Sequence, residues 1–317
     1  MVVKELVVPT VPQQPIRILV VGGTGFIGRH IVDRALTLGW TVTSLSLHSV
    51  LEPLPPSVRI ISADAADGVA LREGIRDAQF EYVVNCGGYI EHTLFCDGGR
   101  RVFDSHLRST LNLVEVLDRS VLKAYVNIGS SDEYGRNPAP QTETQREMPI
   151  APYSAGKVAI THLLQMLYRT EDFPATTLRA FLIYGPGQDR RRFLPQVIIG
   201  CLEGRNFPTS MGEQLRDFCF VDDVVEGIFA TLGVQAARGE VINIGSGTAI
   251  SIRTMIETVQ RLIDRGDPQF GQISYRRGEH MQLYANVSKA AAILGWAPRM
   301  SLETGLDKTI QWYRKHL

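Results

Sequence analysis

Short apolar runs punctuated by glycine, asparagine or charged residues alternate along the chain with stretches whose apolar positions recur every third or fourth residue. "IRILVV" (16–21) reads as a buried strand and passes through a glycine turn into the amphipathic helix of "FIGRHIVDRALTLGW". "TVTSLSL", "VRIISADAAD", "EYVVNCGG" and "KAYVNIGS" read as further strands, separated by helical stretches such as "SHLRSTLNLVEVLD". "PATTLRAFLIYGP" and "EVINIGSG" read as two more strands of the same sheet. Strands alternating with helices predict an α/β fold, a doubly wound parallel sheet covered on both faces. "RRRFLPQVIIGCLEGRNFPTSMGEQ" and the chain from Ser251 onward are loop-rich or helical, and read as a smaller C-terminal lobe interleaved with the sheet in sequence. The expected division is a leader over 1–15, a nucleotide-type domain over 16–188 plus roughly 217–249, and a substrate lobe over roughly 189–216 plus 250–317.

Composition narrows the function classes. A chain of 317 residues with 44% hydrophobic content can bury a large core. Lysine plus arginine and aspartate plus glutamate balance at 33 each, so no basic field calls for a nucleic-acid partner. Cys86, Cys96, Cys201 and Cys219 form neither a close pair nor a metal-ligand spacing, which predicts reduced thiols, a cytoplasmic setting and no metal. No apolar run approaches the roughly 20 residues that span a bilayer, so no membrane partner is expected. The opening "MVVKELVVPTVPQQP" lacks a signal-peptide core and reads as a mobile leader.

Gly22, Gly25 and Gly28 lie in "LVVGGTGFIG", directly after the first strand. Glycines there permit a tight turn and let backbone N–H groups approach a pyrophosphate at a helix N-terminus, the Rossmann-type arrangement for a dinucleotide. Phe26 and Ile27, at the start of the helix, join the glycines as cofactor-facing candidates. At the end of the second strand, Ser46, Leu47 and His48 stand where an acid would hold the ribose of NAD. Arg29 offers a partner for a 2′-phosphate, or else a solvated helix side chain. The missing acid favours NADP(H), with NAD(H) as the alternative. Asp64, at the end of the third strand, is the candidate for the adenine edge.

"PYSAGK" sets Tyr153 and Lys157 four residues apart, after a proline that can open a helix. Residues i and i+4 share a helix face, so the ammonium is expected beside the phenol. A nearby cation would lower the tyrosine pKa and make it a usable acid or base.

The ordered set "GGTGFIG", the serine-bearing strand end, "YSAGK", "YGPG", "RDFCFVDDV", "INIGSG" and "LGWAPRMSLETGL" resembles the extended short-chain dehydrogenases/reductases of the nucleotide-sugar epimerase/dehydratase/reductase family. The resemblance runs through nearly the whole chain. It implies a catalytic triad of Ser130, Tyr153 and Lys157, with Ser130 found by counting back four residues from Tyr134. The next two positions, Asp-Glu in many 4,6-dehydratases of the family, are Ser131 and Asp132, and Glu133 falls at a usually apolar place. "GSSDEYG" most resembles the "GSSEEYG" of GDP-4-keto-6-deoxymannose reductases. The implied reaction is reduction of the C4 keto group of a nucleotide-activated 4-keto-6-deoxy sugar, with hydride from the nicotinamide, a proton from Tyr153 and Asp132 as auxiliary. A 4-epimerase with tightly bound NAD is the alternative. A 4,6-dehydratase or a non-catalytic dinucleotide-binding protein fits less well. Glu133 is expected outside the site, in solvent contact or capping the following loop.

On the substrate side, Arg216 in "LRDF" and Arg276 in "YRRGE" match the arginines that grip the nucleotide diphosphate in the family. Ser131 and His92 join them as substrate-facing candidates, and "RRRFLP" (190–195) lies where the family places a loop beside the sugar. Three family positions differ here: Leu182 and His106 replace asparagines, and "NCGG" (85–88) replaces "HLAA". The resemblance also implies a homodimer built on the helix bearing Tyr153 and the one around Leu107–Leu117.

Overall fold

The computed structural model describes residues 15–47, 53–275 and 279–317. The first part of the chain runs β1 (Arg17–Val21), α1 (Phe26–Thr37), β2 (Thr41–Ser46), β3 (Arg59–Ser62), α2 (Gly68–Gly74), β4 (Tyr82–Asn85), α3 (Gly99–Val116), β5 (Ala124–Ser130), α4 (Pro152–Glu171) and β6 (Ala175–Ala180). Then follow β7 (Leu182–Tyr184), α5 (Phe193–Leu202), β8 (Asn206–Pro208), β9 (Leu215–Phe220), α6 (Val221–Leu232) and β10 (Val241–Ile244). The last part is β11 (Ala249–Ser251), α7 (Ile252–Ile263), β12 (Asp267–Gln269), β13 (Gln282–Leu283), α8 (Ser288–Leu294) and α9 (Leu302–His316).

Seven strands form one sheet in the order β10-β6-β5-β4-β1-β2-β3, and every pairing is parallel. Their apolar runs have the composition of strands buried on both faces. Successive residues of β1 serve opposite cores, as the pleat requires. Ile18 and Val20 join the core under α1 and α6, while Leu19 and Val21 join the one under α2, α3 and α4. The first core continues into α5, α7 and α9, so sheet and C-terminal elements share one apolar interior.

"PATTLRAFLIYGP" is not a single strand of the large sheet. The chain leaves that sheet after Ala180, and β7 pairs in parallel with β9 instead. Phe181, between the two strands, is buried in a small separate cluster with Tyr134, Leu283 and Ala285. β9 is the spine of a second sheet, with β11 antiparallel on one edge and β13 parallel on the other, and β7 pairs in parallel with its C-terminal half. β8 and β12 form a parallel pair of their own. The leader residues 1–14 lie outside the described residues.

Strand order reverses between β1 and β4. A crevice at the carboxyl ends of the strands follows from that topology. The glycine turn and the β4 loop meet closely: a Cβ on Gly22 would stand 3.0 Å from the Gly87 backbone.

Candidate functional site

The turn after β1 is built by its glycines. Gly22 has φ +79°, its N–H donates to the Leu45 carbonyl (2.7 Å), and its carbonyl accepts from Gly25 N–H (2.9 Å). A Cβ on Gly28 would sit 2.0 Å from the Gly22 carbonyl oxygen, so α1 reaches this close to the turn only with glycine there. α1 opens at Gly25 with no side-chain cap and no acid in its first turn. First-turn N–H groups without a cap suit an anion, and the turn therefore fits a dinucleotide pyrophosphate. Phe26 and Ile27 are half-buried in that first turn.

Ser46 and Arg29 both hold the turn itself. Thr24 N–H donates to Ser46 Oγ (3.3 Å), and Arg29 Nε donates to the Thr24 carbonyl (3.3 Å). Asp64 is exposed beyond β3, where its Oδ1 accepts from Ala66 N–H (2.8 Å). His48 and Arg276 lie outside the described residues.

The second group of candidates is assembled by the end of β5. Ser130 closes the strand and caps a 3-10 turn over Ser131–Glu133, with its Oγ accepting from Asp132 N–H (3.1 Å). Ser131 is buried at the first position of this turn. α4 begins with Pro152 at its first position, where a missing N–H costs nothing. That start presents Tyr153 and, one turn on, Lys157, both buried. Lys157 Nζ donates to the Ile128 carbonyl (2.8 Å) and lies 5.9 Å from the Tyr153 ring centroid. The buried ammonium is pulled down to about 8 by burial, against the charge of Glu133 and a smaller influence of Cys86.

The expected lowering of the Tyr153 pKa is not found. Burial pushes the phenol well above its ordinary range and the nearby Asp132 adds to the rise, outweighing the hydrogen bond with Ser130. Lys157 directs its ammonium to the β5 carbonyl, which leaves burial dominant at the phenol.

Two histidines flank Tyr153. His92 lies edge-on at 5.9 Å between ring centroids and His106 at 5.4 Å. His92 Nε2 stands 3.8 Å from Asp132 Oδ2. His106, on α3, pairs its Nε2 with the Tyr89 carbonyl (3.0 Å). Burial and the Lys157 charge hold it neutral, with its pKa down to about 4. Asp132, 34% exposed at its side chain, is pushed above the usual carboxylate range by burial, and His92, Arg216 and Arg192 oppose that rise.

Arg216 projects from β9 and ion-pairs with Glu279, while it also acts on Asp132. Its neighbour Asp217 points the other way, accepting backbone N–H groups from Ser246, Gly247 and Ala285. Of the three adjacent arginines, Arg190 turns to the His316 carbonyl and Arg191 to Asp189, leaving Arg192 as the one that acts on Asp132 and Tyr153.

Glu133 is not in solvent contact. It is 0% exposed, and its Oε1 accepts from Ser130 N–H (2.8 Å) as the second half of a capping box. Its Oε2 accepts from Thr161 Oγ1 (2.9 Å) and from Arg179 Nε (2.9 Å). Sequence reasoning found the cap but missed Arg179, Glu147 and Glu279. Each pair joins residues far apart in sequence, with no spacing to reveal it.

Residues 18–245 match the model of the NAD dependent epimerase/dehydratase family. The chain belongs to that family. Its members are enzymes, and the seven-stranded Rossmann-type sheet with flanking helices is their fold. The chain is 27% identical to a dTDP-glucose 4,6-dehydratase of Xanthomonas campestris pv. campestris (strain B100), over 93% of this chain and 92% of that protein. Among solved structures, UDP-glucose 4-epimerase from Thermotoga maritima, in complex with UDP-glucose, matches with a TM-score of 0.89 and 26% identity, over 95% of this chain and 99% of that one. MoeE5, in complex with UDP-glucose and NAD, matches with a TM-score of 0.83 and 28% identity, over 95% and 99%. Among the described residues, no helix is long and apolar enough to cross a membrane, and no cluster of histidine, cysteine and carboxylate side chains could hold a metal.

Proposed function

We propose that this enzyme reduces the C4 keto group of a nucleotide-activated 4-keto-6-deoxy sugar. The observation that carries the reading is the fate of Glu133: its carboxylate is tied to Ser130, Thr161 and Arg179 in the interior. With Ser131 at the other position of the dehydratase pair and Glu133 not free to replace it, Asp132 is left without the carboxylate partner that elimination of water would use, which supports hydride chemistry at C4 without elimination. The Gly22–Gly28 turn would hold the pyrophosphate of the dinucleotide and Lys157 its nicotinamide ribose. When bound, the reduced nicotinamide supplies the hydride to C4. Tyr153 gives its proton to the C4 oxygen, Ser130 hydrogen-bonds that oxygen, and Lys157 stabilises the phenolate that remains. Asp132 and His92 would face the sugar. Arg216, with Arg276, would grip the diphosphate from the lobe over roughly 189–216 and 250–317.

The cofactor is NADP(H) on the strength of the missing acid after β2, although the NAD held by MoeE5 supports NAD(H). A homodimer through α3 and α4 belongs to the same reading, and Leu111 and Met166 stand exposed on those helices.

A second reading, C4 epimerisation, is supported by the likeness to the Thermotoga UDP-glucose 4-epimerase. One preparation decides between them. For the reductase, purified protein given 4-keto-6-deoxy nucleotide sugars consumes added reduced cofactor, seen as loss of its near-ultraviolet absorbance. For the epimerase, denaturation releases a stoichiometric dinucleotide, and the native protein interconverts nucleotide sugars with none added. No consumption with any ketosugar sinks the reductase.

A further inference from the structure

A buried ion cluster stands directly behind the candidate triad. Arg179 is fully buried on β6, ion-pairs with Glu133 and Glu147, and lies 4.6 Å from the centroid of the Tyr134 ring. Glu147 is partly buried and faces the exposed His162 (3.4 Å). Desolvating such ions costs several kcal/mol each, and well-packed apolar residues often serve stability as well or better. Stability alone therefore does not account for the cluster.

Its geometry points to the site. The Glu133 carboxylate bonds three elements at once: the Ser130 N–H at the end of β5, the Thr161 hydroxyl one turn past Lys157 on α4, and Arg179 on β6. The backbone makes room for it, since a Cβ on Gly129 would stand 2.6 Å from Glu133 Oε1. We propose that Glu133 is a positioning residue for the C4 chemistry: clamped by Arg179, its carboxylate locks the Ser130 turn to the helix carrying Tyr153 and Lys157 and supplies the negative charge that faces the Lys157 ammonium. The proposal rests on Ser130, Tyr153 and Lys157 being the reacting groups.

The other groups around Lys157 do not supply that charge. Cys86, beyond β4, is pushed up to about 12 by burial and is a neutral thiol. His106, on α3, is neutral, and Tyr153 on the same helix as Lys157 is a protonated phenol at neutral pH. From β5 the ammonium receives only the Ile128 carbonyl. Removing the Glu133 charge while keeping its shape should therefore let Lys157 lose its proton at lower pH.

The test is an NMR titration of the full chain labelled with 13C-lysine, which has only six lysines, with the Lys157 signal assigned by Lys157→Arg. Wild type is expected to titrate at Lys157 near 8, and Glu133→Gln at lower pH. Thr161→Val, which removes one hydrogen bond and no charge, should leave the titration in place. In the reductase assay, Glu133→Gln should lower kcat more than it raises KM, and the alkaline limb of kcat should move with the Lys157 signal. Because Gln keeps hydrogen-bonding groups in the cavity, Glu133→Met, in which Arg179 retains Glu147 as its carboxylate partner, provides a second variant, and the same displacement is expected. An unchanged Lys157 titration in either folded variant overturns the proposal. The titration needs no substrate, so it remains decisive if the reductase reading itself fails.

Discussion

In the proposed reaction, Tyr153 is the proton donor. It is 4% exposed, lies between two imidazoles, and is held protonated by burial and by Asp132. A protonated phenol suits the donor in a reduction, which must arrive carrying its proton. Tyr153→Phe removes that proton and one hydroxyl while keeping the ring between His92 and His106. The expected result is an intact fold with kcat lower by about 10²- to 10⁴-fold, the usual contribution of a positioned acid. Steady-state rates beside a thermal melt check it, and a variant with near wild-type activity refutes the assignment. That Ser130, Tyr153 and Lys157 come together was legible because motif spacing brought them out: Ser130 by its distance from Tyr134, Lys157 by its distance from Tyr153. Their proton affinities were not legible. Burial dominates both, and burial depends on the neighbouring strands and helices more than on the four-residue spacing.

At the scale of elements, the junction of β1 with α1 is the most constrained. A Cβ on Gly28 would lie 2.0 Å from the Gly22 carbonyl oxygen and 2.7 Å from Gly23 Cα, both rigid backbone. Gly25 is more forgiving, with its added Cβ 3.2 Å from the same oxygen. Gly28→Ala should therefore push α1 away from the turn, at a cost of about 1–3 kcal/mol for overpacking, and abolish the stabilisation by dinucleotide. Gly25→Ala should be milder on both counts. Melting curves with and without NAD(H) or NADP(H) measure the two effects, and equal behaviour of the two variants would contradict the packing argument. The strands of the large sheet were legible as apolar runs because burial on both faces demands them. The break between β6 and β7 was not, since Leu182, Ile183 and Tyr184 extend the apolar run and only the distant β9 gives β7 its partner. β9 itself was recognised as a motif, "RDFCFVDDV", with no indication of the sheet it would organise.

The whole molecule couples its stability to the site through a histidine that no motif singled out as titrating. His106 faces Gly88, the Tyr89 carbonyl and the Tyr153 ring from the interior side of α3. Burial and the Lys157 charge depress its pKa to about 4, against an unperturbed value of 6.5. Between those values the unfolded chain binds a proton that the folded chain refuses, so folding is stabilised fully above the unfolded value and less as pH falls through the folded one. The loss is about 3 kcal/mol once His106 is protonated in both states, because a tenfold difference in proton affinity is worth about 1.4 kcal/mol. His30 works in the opposite sense. Burial pulls it down, but the hydrogen bonds with Asp222 and the Pro186 carbonyl, and the charge of Asp222, leave it raised. Its contribution is present below the ordinary histidine value and fades as pH rises through the raised one, so it steadies the acid side. His106→Asn removes the acid-labile contribution and leaves that of His30. Urea unfolding at about pH 7 and about pH 4.5 should show wild type losing more stability between the two than His106→Asn, with similar slopes of free energy against urea. Equal acid losses in the two proteins would mean that His106 accepts its proton without unfolding, and that the pocket beside Tyr153 is less dry than its packing implies.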